Sequence, residues 1–273
     1  MLARPSAIKM IRPSLAGGPG TASDEAREMF EREAKAIATL RSPHTVHLFD
    51  YGVSDFGAFY YAMELLEGHD ADWIVKRYGP LPHERAIHVL RQLCHSLSEA
   101  QSAGLVHRDI KPANVFLCLY GEEFDFVKVL DFGVVHAIRG VADTGLLEVD
   151  GGHIRGTPAV MSPEQARGSD VDGRADIYST GCLAYFLLTG QHVFSGDDTI
   201  SILVQHATAT PVRPSERSPH PIPAELDDLI MACLAKEPAD RPQTARELAR
   251  RLAAIPGASD WTQERAAMWW RSQ

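Results

Sequence analysis

Apolar and polar residues alternate along the chain with two different periods. Ala7-Ile8-Lys9-Met10-Ile11 is a short apolar run interrupted by one lysine, which predicts a strand that aims a cation into a site. Pro13 to Gly20 is rich in Pro and Gly and reads as a loop. Ser23-Asp24-Glu25 then opens a helix, with Ser23 as its cap, acids at the positive end of the dipole, and Phe30, Ala34, Ile37 and Leu40 as its apolar stripe. Val46–Tyr51 and Phe59–Leu65 alternate and carry aromatics, as paired strands do, with Asp55-Phe56-Gly57 near the turn. Pro82 to Ser102 predicts a long helix with Pro82 in its first turn and Ile87, Leu90, Cys94 and Leu97 buried. Ile177 to Thr189 is apolar nearly all round, the mark of a helix buried inside a large unit, and Thr189-Gly190 is a glycine stop. Thr210–Pro223 is proline-rich loop, and Ala224–Ala235 and Thr244–Ala254 are amphipathic helices. Trp261, Met268, Trp269 and Trp270 fall on a last helix that packs back on the rest, the alternative being an exposed partner site.

Composition narrows the class. The chain has 273 residues, enough for one large domain or two lobes, and 45% of them are apolar. A net charge of −9 argues against a general nucleic-acid binder and against a polybasic membrane anchor. Cys94, Cys118, Cys182 and Cys233 are far apart and match no metal spacing, so they read as buried thiols in a reducing compartment. The longest apolar stretch, near Cys182–Leu188, is too short to span a bilayer, and no secretory signal opens the chain. The expectation is a soluble, cytoplasmic protein. His83, His88 and His95 lack acidic partners at ligand spacing and read as ordinary helix residues.

The candidate chemistry lies in His107-Arg108-Asp109-Ile110-Lys111-Pro112-Ala113-Asn114, followed by Asp131-Phe132-Gly133. Phosphoryl transfer passes through a loose transition state, so a protein mainly positions groups and neutralises charge. Asp109 is placed to accept a hydroxyl proton, Asn114 and Asp131 offer hard oxygen ligands for Mg²⁺, and Lys111 can screen a transferring phosphate. These two motifs at this distance resemble those of a eukaryotic-type protein kinase. The lysine two residues after Asp109 resembles the serine/threonine branch, and Met161-Ser162-Pro163-Glu164-Gln165 with the short tail resembles bacterial kinases of this class.

The resemblance implies an α+β, two-lobe fold: a small β-rich lobe over residues 1–67, a large, mainly helical lobe over 68–255 and a helical tail over 256–273. It implies ATP and Mg²⁺ as cofactors and serine or threonine hydroxyls of proteins as acceptors. Lys9 would grip the α- and β-phosphates. Of the available acids Glu25, Glu28, Glu31 and Glu33, the spacing to Leu40-Arg41-Ser42-Pro43-His44 selects Glu33 as partner of Lys9. Met63 would stand behind the adenine, backbone groups near Glu64 and Leu66 would hydrogen-bond it, and Ala7 and Phe116 would close on its two faces. Asp72 lies beside the ribose position. His107 would pack under Phe132, Thr157 would bridge Asp109 and Lys111, Asp176 would brace the catalytic-loop backbone, and Arg241 would neutralise Glu164. Thr144, the one hydroxyl residue between Gly133 and Gly156, would be the activating phosphosite, paired with Arg108.

The resemblance runs from about residue 7 to 254 and departs at two places. Ser162 stands where alanine is usual. Kinases open with two strands carrying G-x-G-x-x-G, whereas only eight residues precede Lys9, none of them glycine, and Gly17-Gly18-Pro19-Gly20 follows it. The expectation is a small lobe missing its first two strands, weak nucleotide binding, and an exposed strand edge available for self-association. The competing reading is a pseudokinase or impaired fragment that serves as a binding scaffold.

Overall fold

The computed structural model describes residues 5–11, 24–55, 57–132 and 157–273. Gly17, Gly18, Gly20, Ser23, Phe56, Gly133, Thr144 and Gly156 lie outside the described residues, and with them the expected cap of the first helix and the expected phosphosite.

In the small lobe, β1 (Ser6–Ile11), β2 (Leu48–Val53) and β3 (Phe59–Glu64) form an antiparallel sheet in the order β1-β3-β2. The alternation read in the sequence sorts the two faces of β1. Ala7, Lys9 and Ile11 turn inward, while Ile8 (67% exposed) and Met10 (57%) turn out. Helix α1 (Asp24–Ala38) covers the inner face. Its Phe30 is fully buried between Phe59 (4.6 Å between ring centroids) and Tyr61 (4.9 Å), and burying such a ring is worth about 1.5–3 kcal/mol.

Strand β2 starts at Leu48, two residues later than the alternation suggests. The backbone ahead of it is already taken: Val46 N–H donates to the Val129 carbonyl (3.0 Å), and Val129 N–H donates to that of His44 (2.7 Å). The loop between α1 and β2 is therefore tied to the large lobe. Glu99 accepts from the N–H groups of Arg41 (2.8 Å) and Ser42 (2.6 Å), and Thr45 and Ser96 share a hydroxyl bond.

Past Glu64 the chain crosses into a second sheet, β4 (Gly68–Asp70), β5 (Val115–Tyr120) and β6 (Glu123–Val129), in sequential antiparallel order. Gly68 lets β4 approach β5: a Cβ there would fall 2.2 Å from the Leu117 carbonyl oxygen. Asp70 caps α2 (Ala71–Tyr78), accepting from Trp73 N–H at 2.8 Å. Helix α3 (His83–Ser102) buries Ile87, Leu90, Cys94 and Leu97; Pro82 stands just before it, in extended conformation, rather than within the first turn.

Below these lie α4 (Pro163–Arg167), α5 (Gly173–Thr189), α6 (Thr199–Thr208), α7 (Ala224–Cys233) and α8 (Ala245–Ala253). Asp172 caps α5 five residues before the apolar run begins, and Gly190 ends it at φ 69°. Helix α5 is buried from Ala175 through Thr189, as its uniform apolarity requires. All four cysteines are buried. Helix α9 (Gln263–Arg271) carries Met268, Trp269 and Trp270, whereas Trp261 lies in the loop before it. No described helix is long and apolar enough to cross a membrane.

Candidate active site

The loop His107–Asn114 is suspended over α5. Asp176, near the start of that helix, accepts from the N–H groups of His107 and Arg108 at 2.8 Å each. Burial pushes its carboxyl up to about 6, while those two donors and Arg108 pull the other way. His107 is fully buried; its Nε2–H donates to the Leu130 carbonyl (2.9 Å) and its Nδ1 accepts from Asp109 N–H (3.3 Å). Burial holds the ring near 4 and hence neutral, and it packs on Phe132 with centroids 4.5 Å apart. Arg108 (φ 65°) and Asp131 (φ 58°) are both non-glycine residues in the left-handed region, each costing about 1–3 kcal/mol that the surrounding hydrogen bonds offset.

Around Asp109 the structure brings three other side chains together. Lys111 Nζ donates to Asp109 Oδ2 (2.6 Å) and Thr157 Oγ (3.1 Å). The Thr157 hydroxyl donates to Asp109 Oδ1 (3.2 Å). Asn114, buried beneath, donates from Nδ2 to the backbone oxygen (2.9 Å) and Oδ2 (3.1 Å) of Asp109. A carboxylate held this way has a fixed orientation.

Lys9 does not reach Glu33. Its ammonium pairs with Asp131, joining the small lobe to the large one. Glu33 is half-buried beside Tyr61, which stands opposite Lys9 in the β1–β3 register, and both Glu33 Oε2 and the Tyr61 hydroxyl are buried with no hydrogen-bond partner among the described residues. The reason is competition for one cation: Asp131 takes the ammonium, and Glu33 is left to shed its charge. Burial pushes the Glu33 carboxyl up to about 7 from 4.5, against the pull of Arg108 and Arg32.

A pH dependence follows. The native state holds the Glu33 proton more tightly than the unfolded chain does, so its contribution to stability is full below about pH 4.5 and is lost as pH rises through about 7. The loss should be about 1 kcal/mol, after allowing for solvent screening of a half-exposed group. Unfolding curves followed between pH 4.5 and 7 should show that slope in wild type and a flatter one in Glu33→Gln; equal slopes would remove Glu33 as its source.

Between the lobes, Ile11, Ile37, Val46, Leu48, Tyr61, Met63, Asp131 and Phe132 line a cleft. Ala7 lies on the inner face of β1, and Phe116 is on β5, paired with Asp70 and Lys128. Glu64 N–H is committed to the His47 carbonyl (3.0 Å), and Leu66 follows in the irregular segment between β3 and β4. Asp72 is turned to Lys76 (2.7 Å) on its own helix.

Two features here escaped the sequence reading. Lys128, buried on β6, donates to Glu64 Oε1 (2.7 Å) and so ties the large lobe to the crossing point between the lobes. Its signal is the one that marks Lys9: a lysine inside an apolar run, Phe126-Val127-Lys128-Val129-Leu130. Tyr61 has no such signal, since an aromatic on an alternating strand reads as core.

In the large lobe, Arg241 pairs with Glu164 in both directions of its fork (2.7 and 2.8 Å), with the guanidinium fully buried.

Comparison with known proteins agrees with this arrangement. The protein kinase domain family matches residues 4–252. Serine/threonine-protein kinase pkn3 of Myxococcus xanthus is 38% identical over 249 residues, which is 91% of this chain and 44% of that protein. Serine/threonine-protein kinase PknB of Mycobacterium tuberculosis is 38% identical over 250 residues, 90% of this chain and 38% of that protein. The chain thus spans less than half the length of these relatives. Among solved structures, a double mutant of the PknI kinase domain of Mycobacterium tuberculosis superposes with a TM-score of 0.66 at 28% identity, covering 90% of this chain and 83% of that one. Rad53 residues 1–466, in complex with AMP-PNP, gives 0.70 at 25% identity, covering 93% and 58%. With its two-lobe fold, its suspended loop and these matches across nine-tenths of its length, the chain belongs to the protein kinase domain family.

Proposed function

We propose that the chain is the catalytic domain of a serine/threonine protein kinase, moving the γ-phosphoryl group of ATP to serine or threonine hydroxyls of protein substrates. The observation that carries this reading is the cluster at Asp109, whose carboxylate is oriented by Lys111, Thr157 and Asn114 together. Asp109 accepts the proton of the incoming hydroxyl. Lys111, two residues on, neutralises charge at the transferring phosphate, and Thr157 holds Asp109 and Lys111 in register. The fully buried Asp176 keeps the loop backbone in place. Relatives named as serine/threonine kinases favour the same acceptor class.

Asp131 and Asn114 fit Mg²⁺. Both offer hard oxygens, and the Asn114 amide is turned so that its N–H₂ faces Asp109, which leaves its oxygen as the acceptor. Bound there, Mg²⁺ would screen the phosphate charges. Lys9, already at Asp131, is the cation within reach of the α- and β-phosphates, and its transfer to Glu33 would free the Asp131 carboxylate. Met63 walls the cleft behind the adenine. The Glu64 carbonyl and Leu66 N–H are the hinge groups for its edge, and Ala7 and Phe116 close on its faces. Residues 1–67, 68–255 and 256–273 then act as small lobe, large lobe and tail.

Calorimetric titration with ATP tests the nucleotide half of this reading. Asp131→Ala should abolish the Mg²⁺-dependent part of binding, and Asn114→Ala should weaken it less, because a neutral amide screens no charge. Superimposable curves for Asp131→Ala and wild type, with and without Mg²⁺, would reject the assignment.

A further inference from the structure

A third left-handed non-glycine residue, Asp125 (φ 52°), lies away from the cluster at Asp109. It sits on β6 where the β5–β6 register slips between the Cys118–Phe126 and Tyr120–Glu123 pairs, and a bulge of this kind re-aims a side chain. The Asp125 carboxylate is fully buried and takes four donors. Oδ2 accepts from Arg85 Nε (2.8 Å) and Trp261 Nε1 (2.8 Å); Oδ1 accepts from Arg85 Nη2 (2.8 Å) and Trp270 Nε1 (2.7 Å). A carboxylate has about four lone-pair sites, so both oxygens are saturated, and half of the donors come from the tail. The tail also covers the cation: the Arg85 guanidinium lies 3.6 Å from the ring centroid of Trp269 and 5.0 Å from that of Trp261. A buried ion pair is tolerated when all its donors and acceptors are matched, and here the indoles complete the match.

The same tail also reaches β6, β4 and α2. Gln263 brackets the Phe124 backbone, accepting its N–H (2.8 Å) and donating to its carbonyl (3.2 Å). Trp270 lies parallel to His69 of β4 (6.3 Å), which is itself stacked on Trp73 of α2 (3.6 Å). Trp269 meets Tyr78 at the far end of α2 (5.0 Å). β4 and α2 follow directly on Leu66, and β6 runs straight into Asp131. All of these tail residues lie beyond residue 252, where the family match ends.

We propose that Trp261 and Trp270 are positioning residues for the nucleotide cleft. By completing the Asp125–Arg85 pair they lock β6, β4 and α2 to one another, and so fix Asp131 and the segment after Leu66. The inference rests on the reading of that cleft as the nucleotide site.

The test is the full 273-residue chain carrying Trp261→Phe and Trp270→Phe together, which deletes both indole N–H groups and keeps aromatic rings in place. Hydrogen exchange of amides 68–78 and 126–131 should quicken by about tenfold while α5 stays unchanged. The dissociation constant for ATP with Mg²⁺ should rise by about five- to twentyfold; in phosphotransfer, KM for ATP should rise in step while kcat stays within about twofold. A merely structural role would speed exchange in α5 as well, or lower kcat with the folded fraction, at unchanged KM. Faster exchange confined to α9, or spread evenly over the lobe, with unchanged nucleotide affinity, would overturn the proposal. If the double variant fails to fold, Trp270→Phe alone removes one donor of the four and is read in the same way. A wild-type chain that binds no nucleotide would overturn the proposed function, and the exchange pattern would still decide the clamp.

Discussion

Asp109→Asn is expected to lower the rate of phosphoryl transfer by about 10²–10⁴-fold, the usual contribution of a positioned general base, with KM for ATP nearly unchanged. The geometry gives the reason for the split. Asp109 is held by Lys111, Thr157 and Asn114, whereas Lys9 and the cleft between the lobes involve Asp131. An asparagine keeps the shape and removes the charge and the proton acceptor. It also turns an amide N–H₂ toward groups that are themselves donors, so part of the loss will come from a reoriented Lys111. Initial rates at saturating ATP, with a thermal melt to verify folding, decide the matter; a variant as fast as wild type would remove Asp109 from the chemistry.

The largest expected effect on stability lies elsewhere. Arg241→Ala should cost about 3–5 kcal/mol, the range found when one partner of a buried ion pair is removed. All five guanidinium donor directions are used: Nε donates to the Ala235 carbonyl (2.8 Å), Nη1 to Glu164 Oε1 (2.7 Å) and the Arg174 carbonyl (2.9 Å), Nη2 to Glu164 Oε2 (2.8 Å) and the Lys236 carbonyl (2.9 Å). Truncation strands a buried carboxylate and three carbonyls at once. Domains are stable by about 5–15 kcal/mol, so the large lobe would be left marginal or unfolded at ordinary temperature. Arg241→Lys should also destabilise, because one ammonium cannot reproduce the fork. The double change Glu164→Met with Arg241→Met should recover part of the loss, and only part, since the carbonyls stay unpaired. Denaturant unfolding of the three variants measures this; a single-variant loss under about 1 kcal/mol would mean that the pair is not a structural lock.

What the sequence made legible follows from how local each feature is. Asp109, Lys111 and Asn114 lie within six residues, so their convergence needs one loop and little else. The pairing of Arg241 with Glu164, and of Asp176 with the loop, was readable through the family resemblance, because the positions are set by a shared scaffold. The partner of Lys9 was not readable. It depends on where α1 sits relative to β1, and a helix can shift by a few ångströms without changing its stripe of Phe30, Ala34 and Ile37. Glu33 and Asp131 both offer carboxylates, and the choice between them is made by tertiary packing alone. The Asp125 clamp was equally hidden, for it joins residues 136 and 145 positions apart and depends on a one-residue bulge. The tryptophans were correctly expected to pack on the large lobe; what they pack upon, a buried carboxylate, leaves no periodic trace. Helix α6 (Thr199–Thr208) also went unread, since Ile200 (62% exposed) and Val204 (54%) are apolar residues facing outward and blur its pattern.

The central claim, that this chain transfers phosphate to serine or threonine, is tested most directly by incubating it with γ-labelled ATP, Mg²⁺ and a serine/threonine-containing acceptor protein, followed by phosphoamino-acid analysis. The account predicts label on phosphoserine or phosphothreonine that disappears without Mg²⁺ and in Asp109→Asn. Label no greater than that of Asp109→Asn, or label retained in full by that variant, would contradict it.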